Sequence, residues 1–551
     1  MERQMASSVY DQFRDTATQS PDHAFLCYPM SDSRGYMAAG GEIFYGEALR
    51  IIDALAQRYE AAGYGPGHRV ALVAGNRPEH FFHLMALNKI GCTAVPLNPD
   101  YLNHEFAFGI EFAECSLVIG ANPRLDDLQQ VTAALNPPVP LVDAERLPET
   151  LPKPARAAAA SSPTIGEREA MIIYTSGTTG RPKGCIISNI SCLASGENYS
   201  TAGGLLAWEK GKERLYIPLP SFHMNLSIYT LNTMVRMHSC LVIQDRFRLS
   251  NWWSDIVETG ATCFHYMGII PALLMKAPES DIEKHHKIKF AQGAGVDGSI
   301  KKAFEKRFGF PLIEAWGMTE TSRAIQNSRE PVEPGAHAFG RPRAPLEVMI
   351  ADDNDQPLPF STPGELLIRS QGPDPRHGFF SGYLKQPEET EKAWRNGWFH
   401  TGDIVTQRDD GMLFFVERRK NIIRRSGENI ASAEIEDALI DNPEVASVAV
   451  MSVPDELHNE EVIACVVLAK GVEASADKAM EIQDRARAKL AYYKLPAWIA
   501  FIDKVPVTGT QKVQKGQIFV DIDDPREDPR TIDLRAFKRR KATANTASKA
   551  S

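Results

Sequence analysis

Ala170-Met171-Ile172-Ile173-Tyr174-Thr175-Ser176-Gly177-Thr178-Thr179-Gly180-Arg181-Pro182-Lys183-Gly184 is the stretch that decides the fold. Its first five residues predict a short buried strand. The glycines allow a tight turn in which backbone N–H groups come close to an anion. Lys183 adds a mobile positive charge. Hydroxyl donors come from Thr175, Ser176, Thr178 and Thr179. A strand that leads into such a loop predicts a polyphosphate site.

The loop differs from the Walker A motif, because Arg181 and Pro182 separate Gly180 from Lys183. A flexible surface loop is the commoner outcome for a segment rich in Gly, Ser and Thr. The preceding strand and the single lysine favour phosphate binding over that alternative.

Length and composition predict a large protein of at least two domains. A chain of 551 residues exceeds what one hydrophobic core usually supports. With 43% hydrophobic and 24% charged residues, the composition is that of an ordinary globular protein. The net charge of -9 gives no reason to expect a nucleic-acid partner.

Eight cysteines are scattered singly, with no Cys-x-x-Cys pair and no metal-ligand spacing with histidine. This argues against a zinc site or a disulfide framework and for a reducing compartment. The N-terminus lacks the pattern of a signal peptide, no window is apolar enough for a membrane span, and the last three residues are not the peroxisomal tripeptide. We therefore expect a cytoplasmic protein without a membrane span.

The N-terminal part alternates helical and strand-like patterns. Residues 46–56 and 81–90 have helical periodicity, whereas 68–74 and 91–99 are typical of buried strands. This alternation predicts an α/β architecture with mixed, largely parallel sheets. The Pro- and Ala-rich segment 136–167 predicts an exposed connector.

Two later segments carry candidate site residues that could equally have ordinary structural roles. His223 follows Pro220-Ser221-Phe222, and a lone histidine is more often structural than catalytic. The segment Gln292-Gly293-Ala294-Gly295 follows a strand-like run, and its small residues would let a flat ring approach the backbone, although it also fits a simple strand-to-helix turn.

Two further segments suit a nucleotide. In Ala315-Trp316-Gly317-Met318-Thr319-Glu320-Thr321, the indole of Trp316 offers a stacking face, Thr319 a hydroxyl for the α-phosphate, and Glu320 a carboxylate for Mg²⁺. Asp403, after Thr401-Gly402, could accept hydrogen bonds from ribose hydroxyls. Taken alone, the first segment is a loop with one exposed acid, and Asp403 is a turn residue.

Together these motifs, in this order, resemble the adenylate-forming superfamily of acyl-CoA synthetases, peptide-synthetase adenylation domains and beetle luciferases, over about residues 10 to 520. The resemblance implies that His223 lies beside the acyl pocket and that the segment 292–295 lines both the adenine and the acyl group. It implies catalytic roles for Lys512, Thr175, Glu320 and His223. It also implies an ATP and AMP site formed by Thr175, Ser176, Gly177, Thr178, Thr179, Lys183, Gly293, Ala294, Gly295, Trp316, Gly317, Thr319, Asp403 and Arg418.

The same resemblance implies a large N-terminal domain of subdomains (1–417), a hinge (418–421) at Lys420 and a small mobile α+β C-terminal domain (422–530). Gly427 would line the coenzyme A tunnel, and Lys512 would be the adenylation lysine. Glu417 departs from the glycine or aspartate of many members, and Gln511 from the usual glycine, which makes Lys515 a rival to Lys512. We expect a disordered tail over 531–551.

The implied reaction is that of an AMP-forming acid–thiol ligase, with ATP, Mg²⁺ and coenzyme A as cofactors and a small carboxylic acid as substrate. The run 415–436 resembles the carnitine and crotonobetaine CoA ligase branch, so a substrate with a quaternary ammonium could meet the faces of Tyr266 or Trp316. A medium-chain or aromatic acid is the alternative. Transfer to a carrier protein and a catalytically silent nucleotide-binding relative are the other readings of function.

Overall fold

A computed structural model describes residues 7–32, 34–175, 182–296, 298–333, 337–425, 428–455, 459–507, 513–520 and 522–538. None of the helices in these ranges has the length and apolar character that a membrane crossing requires.

Helices and strands alternate along most of the described chain. The helices are α1 (Val9–Gln19), α2 (Tyr45–Ala61), α3 (Pro78–Lys89), α4 (Asn103–Phe112), α5 (Leu125–Ala134), α6 (Asn189–Ser200), α7 (Leu231–Arg236), α8 (Trp252–Thr259), α9 (Ile269–Lys276), α10 (Gly298–Phe308), α11 (Pro387–Ala393), α12 (Ser432–Ile440) and α13 (Ala476–Ala486). The strands up to the fifteenth are β1 (Ala24–Tyr28), β2 (Gly41–Phe44), β3 (Arg69–Val73), β4 (Thr93–Pro96), β5 (Leu117–Gly120), β6 (Leu141–Asp143), β7 (Glu169–Thr175), β8 (Lys183–Ser188), β9 (Arg214–Ile217), β10 (Cys240–Ile243), β11 (Cys263–Met267), β12 (Phe290–Ala294), β13 (Leu312–Gly317), β14 (Ala324–Gln326) and β15 (Ala338–Gly340). The later strands are β16 (Leu346–Ala351), β17 (Gly364–Ser370), β18 (Gly382–Tyr383), β19 (Phe399–Gln407), β20 (Leu413–Arg418), β21 (Ile422–Arg425), β22 (Glu428–Ala431), β23 (Val445–Asp455), β24 (Asn459–Leu468), β25 (Trp498–Phe501) and β26 (Thr531–Asp533).

The chain divides into two compact units. The first comprises Met1–Met349, Leu367–His400 and Gln407–Phe414, and the second Ile350–Leu366, Thr401–Thr406 and Phe415–Ser551. The predicted domain boundary after residue 417 remains a prediction, as does a hinge over 418–421.

The first unit contains two large sheets. The eight-stranded sheet has the order β14-β13-β12-β11-β9-β10-β1-β2, and its six inner strands run parallel. The seven-stranded sheet has the order β18-β8-β7-β4-β3-β5-β6, with β8 antiparallel to both of its neighbours. Large aromatic side chains such as Trp252, Phe264 and Phe304 fill the core against the eight-stranded sheet. This confirms the predicted α/β class with mixed, largely parallel sheets.

The second unit contains a six-stranded mixed sheet with the path β22-β21-β24-β25-β26, and β23 pairs with β24. Helices α12 and α13 pack on it through Ile435, Leu439 and Ile482. This confirms the predicted α+β character.

Most predicted elements of the chain are present, with three differences. The connector 136–167 contains the short strand β6. The segment 292–295 is a turn only at its end, because β12 continues through Ala294. The tail predicted to be disordered from residue 531 is ordered at its start, because β26 adds to the sheet beside β25 and Lys538 pairs with the buried Glu461.

Candidate active site

The predicted phosphate loop is held at both ends by a strand pair. Strands β7 and β8 are antiparallel, with Thr175 opposite Lys183, and the Thr175 hydroxyl donates to the Lys183 carbonyl oxygen at 3.4 Å. The N-cap Ser188, at the end of β8, starts helix α6 by accepting a hydrogen bond from the Ser191 amide. The loop residues Ser176, Gly177, Thr178 and Thr179 lie outside the described residues, so their predicted roles stay predictions.

The ammonium group of Lys183 has two partners on the segment 383–389. Its Nζ lies 2.8 Å from Oε2 of Glu389, on α11, and 4.7 Å from the centre of the Tyr383 ring. The ammonium group also lowers the pKa of the Glu389 carboxyl group. The lysine predicted to bind phosphate is therefore held by an ion pair and a cation–π contact in this structure.

Tyr383 also contacts the predicted magnesium ligand. Its hydroxyl donates to Oε1 of Glu320 at 2.9 Å, and the Phe380 amide donates to the Glu320 carbonyl oxygen at 2.9 Å. Tyr383 lies on β18, opposite Cys185 of β8. Burial, and then the Glu320 carboxylate, raise the pKa of Tyr383, so its hydroxyl stays protonated and donates. Lys183 and Glu320, which are far apart in sequence, are thus connected by one tyrosine.

The segment predicted to meet adenine is fixed by a buried acid. Glu314, on β13, accepts hydrogen bonds from the amides of Gly295 at 2.9 Å and Val296 at 3.2 Å, and from the Tyr266 hydroxyl at 3.0 Å. A Cβ on Gly293 would lie 2.2 Å from the Tyr266 carbonyl oxygen, which explains the glycine at this position. Exposed Ala294 lies between these two glycines.

Trp316 and Thr319 lie just beyond Glu314. The Trp316 indole, at the end of β13, is 5.9 Å from the Phe339 ring at a tilt of 32°, and Gly317 pairs with Ala324 on β14. The Thr319 side chain is buried. The structure therefore places the adenine, α-phosphate and magnesium candidates on one strand and the loop that follows it.

His223 precedes a π-helix over Asn225–Thr230, a rare geometry that is frequent at functional sites. The amide of Asn225 donates to Nδ1 of His223 at 3.3 Å, and Asn225 Oδ1 lies 2.8 Å from Nδ1 of His265. Burial lowers the pKa of His265 to about 3, so this imidazole is neutral.

In the second unit, the structure brings Asp403 and Arg418 together. Asp403 is fully buried, and its Oδ1 lies 2.8 Å from Nε of Arg418. Asp403 was predicted to meet the ribose, and Arg418 was predicted to belong to the same ATP and AMP site. The backbone of Lys420 lies in a short 3-10 turn, Arg419–Asn421. Gly427 and Lys512 lie outside the described residues.

Lys515, the rival to Lys512, is held by the start of α12. Its Nζ lies 2.6 Å from the Ser432 hydroxyl and 2.8 Å from Oε1 of Glu436. An ammonium group bound in this way is less available to a substrate than an unpaired one.

The carboxylate of Glu320 fits Mg²⁺, which prefers oxygen ligands and usually takes one or two carboxylates together with phosphates and water. Among the described residues, no group of three or more His, Cys, Asp or Glu side chains is placed to hold a metal ion. A single buried carboxylate, joined through Tyr383 to Lys183, satisfies the smaller demand of a nucleotide-bound Mg²⁺.

The family model described as "AMP-binding enzyme" matches residues 13–384, and the model described as "AMP-binding enzyme C-terminal domain" matches residues 434–512. The chain belongs to the family of AMP-binding enzymes. The predicted adenylate-forming superfamily is therefore confirmed, and with it the predicted large N-terminal and small C-terminal domains.

Similar proteins match this AMP-binding enzyme over nearly its whole length. The crotonobetaine/carnitine–CoA ligase of Proteus mirabilis is 29% identical over 495 residues, 86% of this chain and 92% of that protein. The sulfoacetate–CoA ligase of Cupriavidus necator is 29% identical over 507 residues, 91% of this chain and 95% of that protein. The structure of O-succinylbenzoate coenzyme A synthetase from Bacillus subtilis with ATP and magnesium has a TM-score of 0.76 at 24% identity, covering 92% of this chain and 98% of that one.

The predicted class, an AMP-forming acyl-CoA synthetase, is confirmed for this AMP-binding enzyme. ATP, Mg²⁺ and coenzyme A, the predicted cofactors, are those that adenylate-forming CoA ligases use.

Sequence reasoning missed Tyr383, Glu389 and Glu314, which contact predicted site residues. Tyr383 and Glu389 follow the loop by about 200 residues, so only the pairing of β18 with β8 reveals them. Glu314 offered a weak signal, since an acid in the middle of an apolar strand needs partners.

Proposed function

We propose that this AMP-binding enzyme joins a carboxylic acid to the thiol of coenzyme A in two steps, through an acyl-AMP intermediate. The observation that supports it best is the contact of Tyr383 with both Lys183 and Glu320. A polyphosphate needs a cation and a metal-binding carboxylate close together, and one side chain connects them here.

In the first step, a carboxylate oxygen attacks the α-phosphorus of ATP, a new O–P bond forms, and the bond to pyrophosphate breaks. The carboxylate is already ionised at neutral pH, so no general base is required. Lys183 would leave Glu389 and bind the phosphates, and the Thr319 hydroxyl would donate to the α-phosphate. Glu320 would hold Mg²⁺, which offsets the charge of the polyphosphate when bound. Lys512 would neutralise charge that develops between carboxylate and phosphate.

In the second step, the sulfur of coenzyme A attacks the acyl carbon, a C–S bond forms, the bond to AMP breaks, and the thiol proton passes to solvent. Gly427 would let the thiol arm pass the backbone, and rotation of the C-terminal domain about Lys420 would change the site between steps. Asp403 and Arg418 are the proposed ribose ligands. His223 would position the acyl group.

Two classes of carboxylic acid are candidates for the acyl group. A betaine-like acid is one candidate, because one similar protein is named as a crotonobetaine/carnitine–CoA ligase. The protein named as a sulfoacetate–CoA ligase has the same identity of 29% and points to a different acid. Of the two aromatic faces predicted for a cation, Tyr266 is 2% exposed, its ring packs on Gly293 and its hydroxyl binds Glu314. Trp316, at 7% exposed, is the other candidate face, and it is also the face predicted to stack on adenine. A short acid with an uncharged polar end is the second candidate, because the buried side chains of Gln292, next to Gly293, and Tyr229 form an uncharged hydrogen-bonded pair.

Pyrophosphate release from MgATP, measured over a panel of carboxylic acids with and without coenzyme A, tests the proposal. We expect release that depends on the acid and is accelerated by coenzyme A, with the thioester as product. Release that coenzyme A never accelerates would indicate a carrier-protein acceptor. No release with any acid would support the catalytically silent alternative.

A further inference from the structure

Three uncharged polar side chains, Tyr229, Gln292 and Gln326, meet in the interior of the first unit. The Tyr229 hydroxyl accepts hydrogen bonds from Nε2 of Gln292 at 3.1 Å and from Nε2 of Gln326 at 2.7 Å. The three side chains are between 2% and 4% exposed. We call these three residues the polar wall.

Each residue of the polar wall comes from a segment that carries a candidate site residue. Tyr229 belongs to the π-helix that follows His223. Gln292 lies on β12, directly before the segment proposed to line adenine and the acyl group. Gln326 lies on β14, which pairs with the end of β13 where the adenine candidate lies. The polar wall therefore joins the segment of His223, the segment 292–295 and the strand beside the adenine candidate.

Strand β12 runs from the polar wall to an exposed end. Exposure increases along β12 from buried Gln292, through half-buried Gly293, to exposed Ala294. Gln292 and Ala294 point to the same face of the sheet, since strand side chains alternate, and they are about 7 Å apart along the strand. An acyl group that enters beside Ala294 would reach Gln292 after a short chain.

The carboxamide of Gln292 has an unused acceptor. Its Oε1 is buried and has no hydrogen-bond partner among the residues that the structure describes. A buried acceptor without a partner is costly, so a ligand that supplies a donor gains from binding there. The corresponding oxygen of Gln326 already accepts a hydrogen bond, from Nη2 of Arg343 at 3.3 Å.

The charge behind the polar wall opposes a cationic ligand. Arg343 is the charged residue bonded to Gln326, and no carboxylate contacts the three residues among the hydrogen bonds described. A trimethylammonium group at this position would have no donor for Gln292 and would be repelled by the guanidinium.

We infer that the polar wall selects short carboxylic acids whose far end carries a hydroxyl group, which donates to Oε1 of Gln292. This inference deepens the proposed function and rests on it. Gln292 is the specificity-determining residue, and Tyr229 positions its carboxamide. An acid that ends in a methyl group leaves the acceptor unpaired, and an acid that ends in trimethylammonium adds the repulsion.

The test compares acids of equal chain length that differ only at the far end, for example butyrate, 4-hydroxybutyrate and 4-trimethylammoniobutyrate, with their three- and five-carbon counterparts. Acid-dependent pyrophosphate release gives kcat/KM for each acid. The readout is the kcat/KM for the hydroxylated acid divided by the kcat/KM for the acid without the hydroxyl group. This ratio is independent of the fraction of folded enzyme. The variants are Gln292→Met and Tyr229→Phe, and Gln12→Met is the control, because Gln12 is a buried glutamine of α1 whose Nε2 donates to a backbone carbonyl.

For at least one chain length, we expect the wild type to favour the hydroxylated acid by about tenfold, and the trimethylammonium acid to be the poorest. Gln292→Met should bring the ratio close to one, Tyr229→Phe should lower it partly, and Gln12→Met should leave it unchanged. A preference for the trimethylammonium acid would overturn the inference, and so would a ratio that Gln292→Met does not change. In either case, pyrophosphate release with any acid would still uphold the proposed function. If the wild type releases pyrophosphate with no acid, the proposed function fails and the inference with it.

Discussion

The hydroxyl of Tyr383 lies 2.9 Å from Oε1 of Glu320, and the ring of the same tyrosine faces the ammonium group of Lys183. Tyr383→Phe removes the hydrogen bond and keeps the ring. Because a hydrogen bond to a charged group contributes about 1.5–3 kcal/mol, we expect acyl-AMP formation to fall at least tenfold and to need more Mg²⁺ for half-maximal rate.

A magnesium titration of pyrophosphate release measures this effect. Tyr10→Phe is the matched control, because the Tyr10 hydroxyl donates to Asp53 at 2.6 Å in a tyrosine–carboxylate pair of similar chemistry. An unchanged magnesium dependence in Tyr383→Phe would count against the role of Glu320 as a metal ligand.

Glu389→Gln should make Lys183 more available to ATP. The Glu389 side chain is 43% exposed, so its ion pair with Lys183 is a weak one, and ion pairs of this kind contribute about 0.2–1 kcal/mol. We expect the KM for ATP to fall by about two- to fivefold with little change in kcat. Glu391 lies on the same helix as Glu389 and pairs with Arg376. Glu391→Gln should leave the KM for ATP unchanged. A raised KM in Glu389→Gln would mean that Glu389 itself helps to bind the nucleotide.

Lys512→Ala should lose acyl-AMP formation and still convert supplied acyl-AMP and coenzyme A to the thioester. The reason is that a charge on this lysine is needed only where carboxylate and phosphate meet. Lys515→Ala should retain the first half-reaction, since Glu436 and Ser432 hold that ammonium group. Pyrophosphate release and thioester formation are measured separately. Loss of the first step in Lys515→Ala alone would exchange the two assignments.

Lys538 should make the stability of the protein depend on pH. Burial lowers the pKa of its ammonium group from 10.5 to about 8, despite the contact with Glu461. At Lys538 the unfolded chain then binds more protons between pH 8 and 10.5, so the free energy of unfolding of the wild type, relative to that of Lys538→Met, should rise with pH across this interval, by about 1–3 kcal/mol. Below pH 8 the ammonium group of Lys538 is charged in both the folded and the unfolded chain, so the full cost of burying this charge applies.

Denaturant unfolding at several pH values tests this. The difference in free energy of unfolding between the wild type and Lys538→Met should rise with pH, and the difference between the wild type and Lys470→Met, which changes an exposed lysine, should stay constant. Parallel curves for the wild type and Lys538→Met would show that Lys538 is not buried in solution.

Local patterns in the sequence were sufficient to predict the α/β class and several elements. The apolar run before Thr175 forms β7, and the helical periodicity of 46–56 lies within α2. Such predictions succeed because periodicity and turn residues act over a few positions. Asp403 and Arg418 are brought together, and their predicted roles stay predictions.

Contacts between distant segments could not be predicted from the sequence in this way. Tyr383 looked like any aromatic residue, because its role depends on the pairing of a two-residue strand with β8. Gln292 looked like part of a turn until β12 proved to continue through it. Lys538 lies in a basic run that is typical of disorder, and its order depends on Glu461, 77 residues earlier.

The support of the phosphate loop by remote residues has a consequence for protein engineering. Lys183 is held by Glu389, 206 positions further along the chain, and Glu320 by Tyr383, 63 positions further along the chain. A graft of residues 174–184 onto another scaffold would carry the glycines and the lysine without the tyrosine and the two acids. The loop therefore depends on distant segments, and a working transplant must include β18, α11 and the segment that carries Glu320 as well as the hairpin.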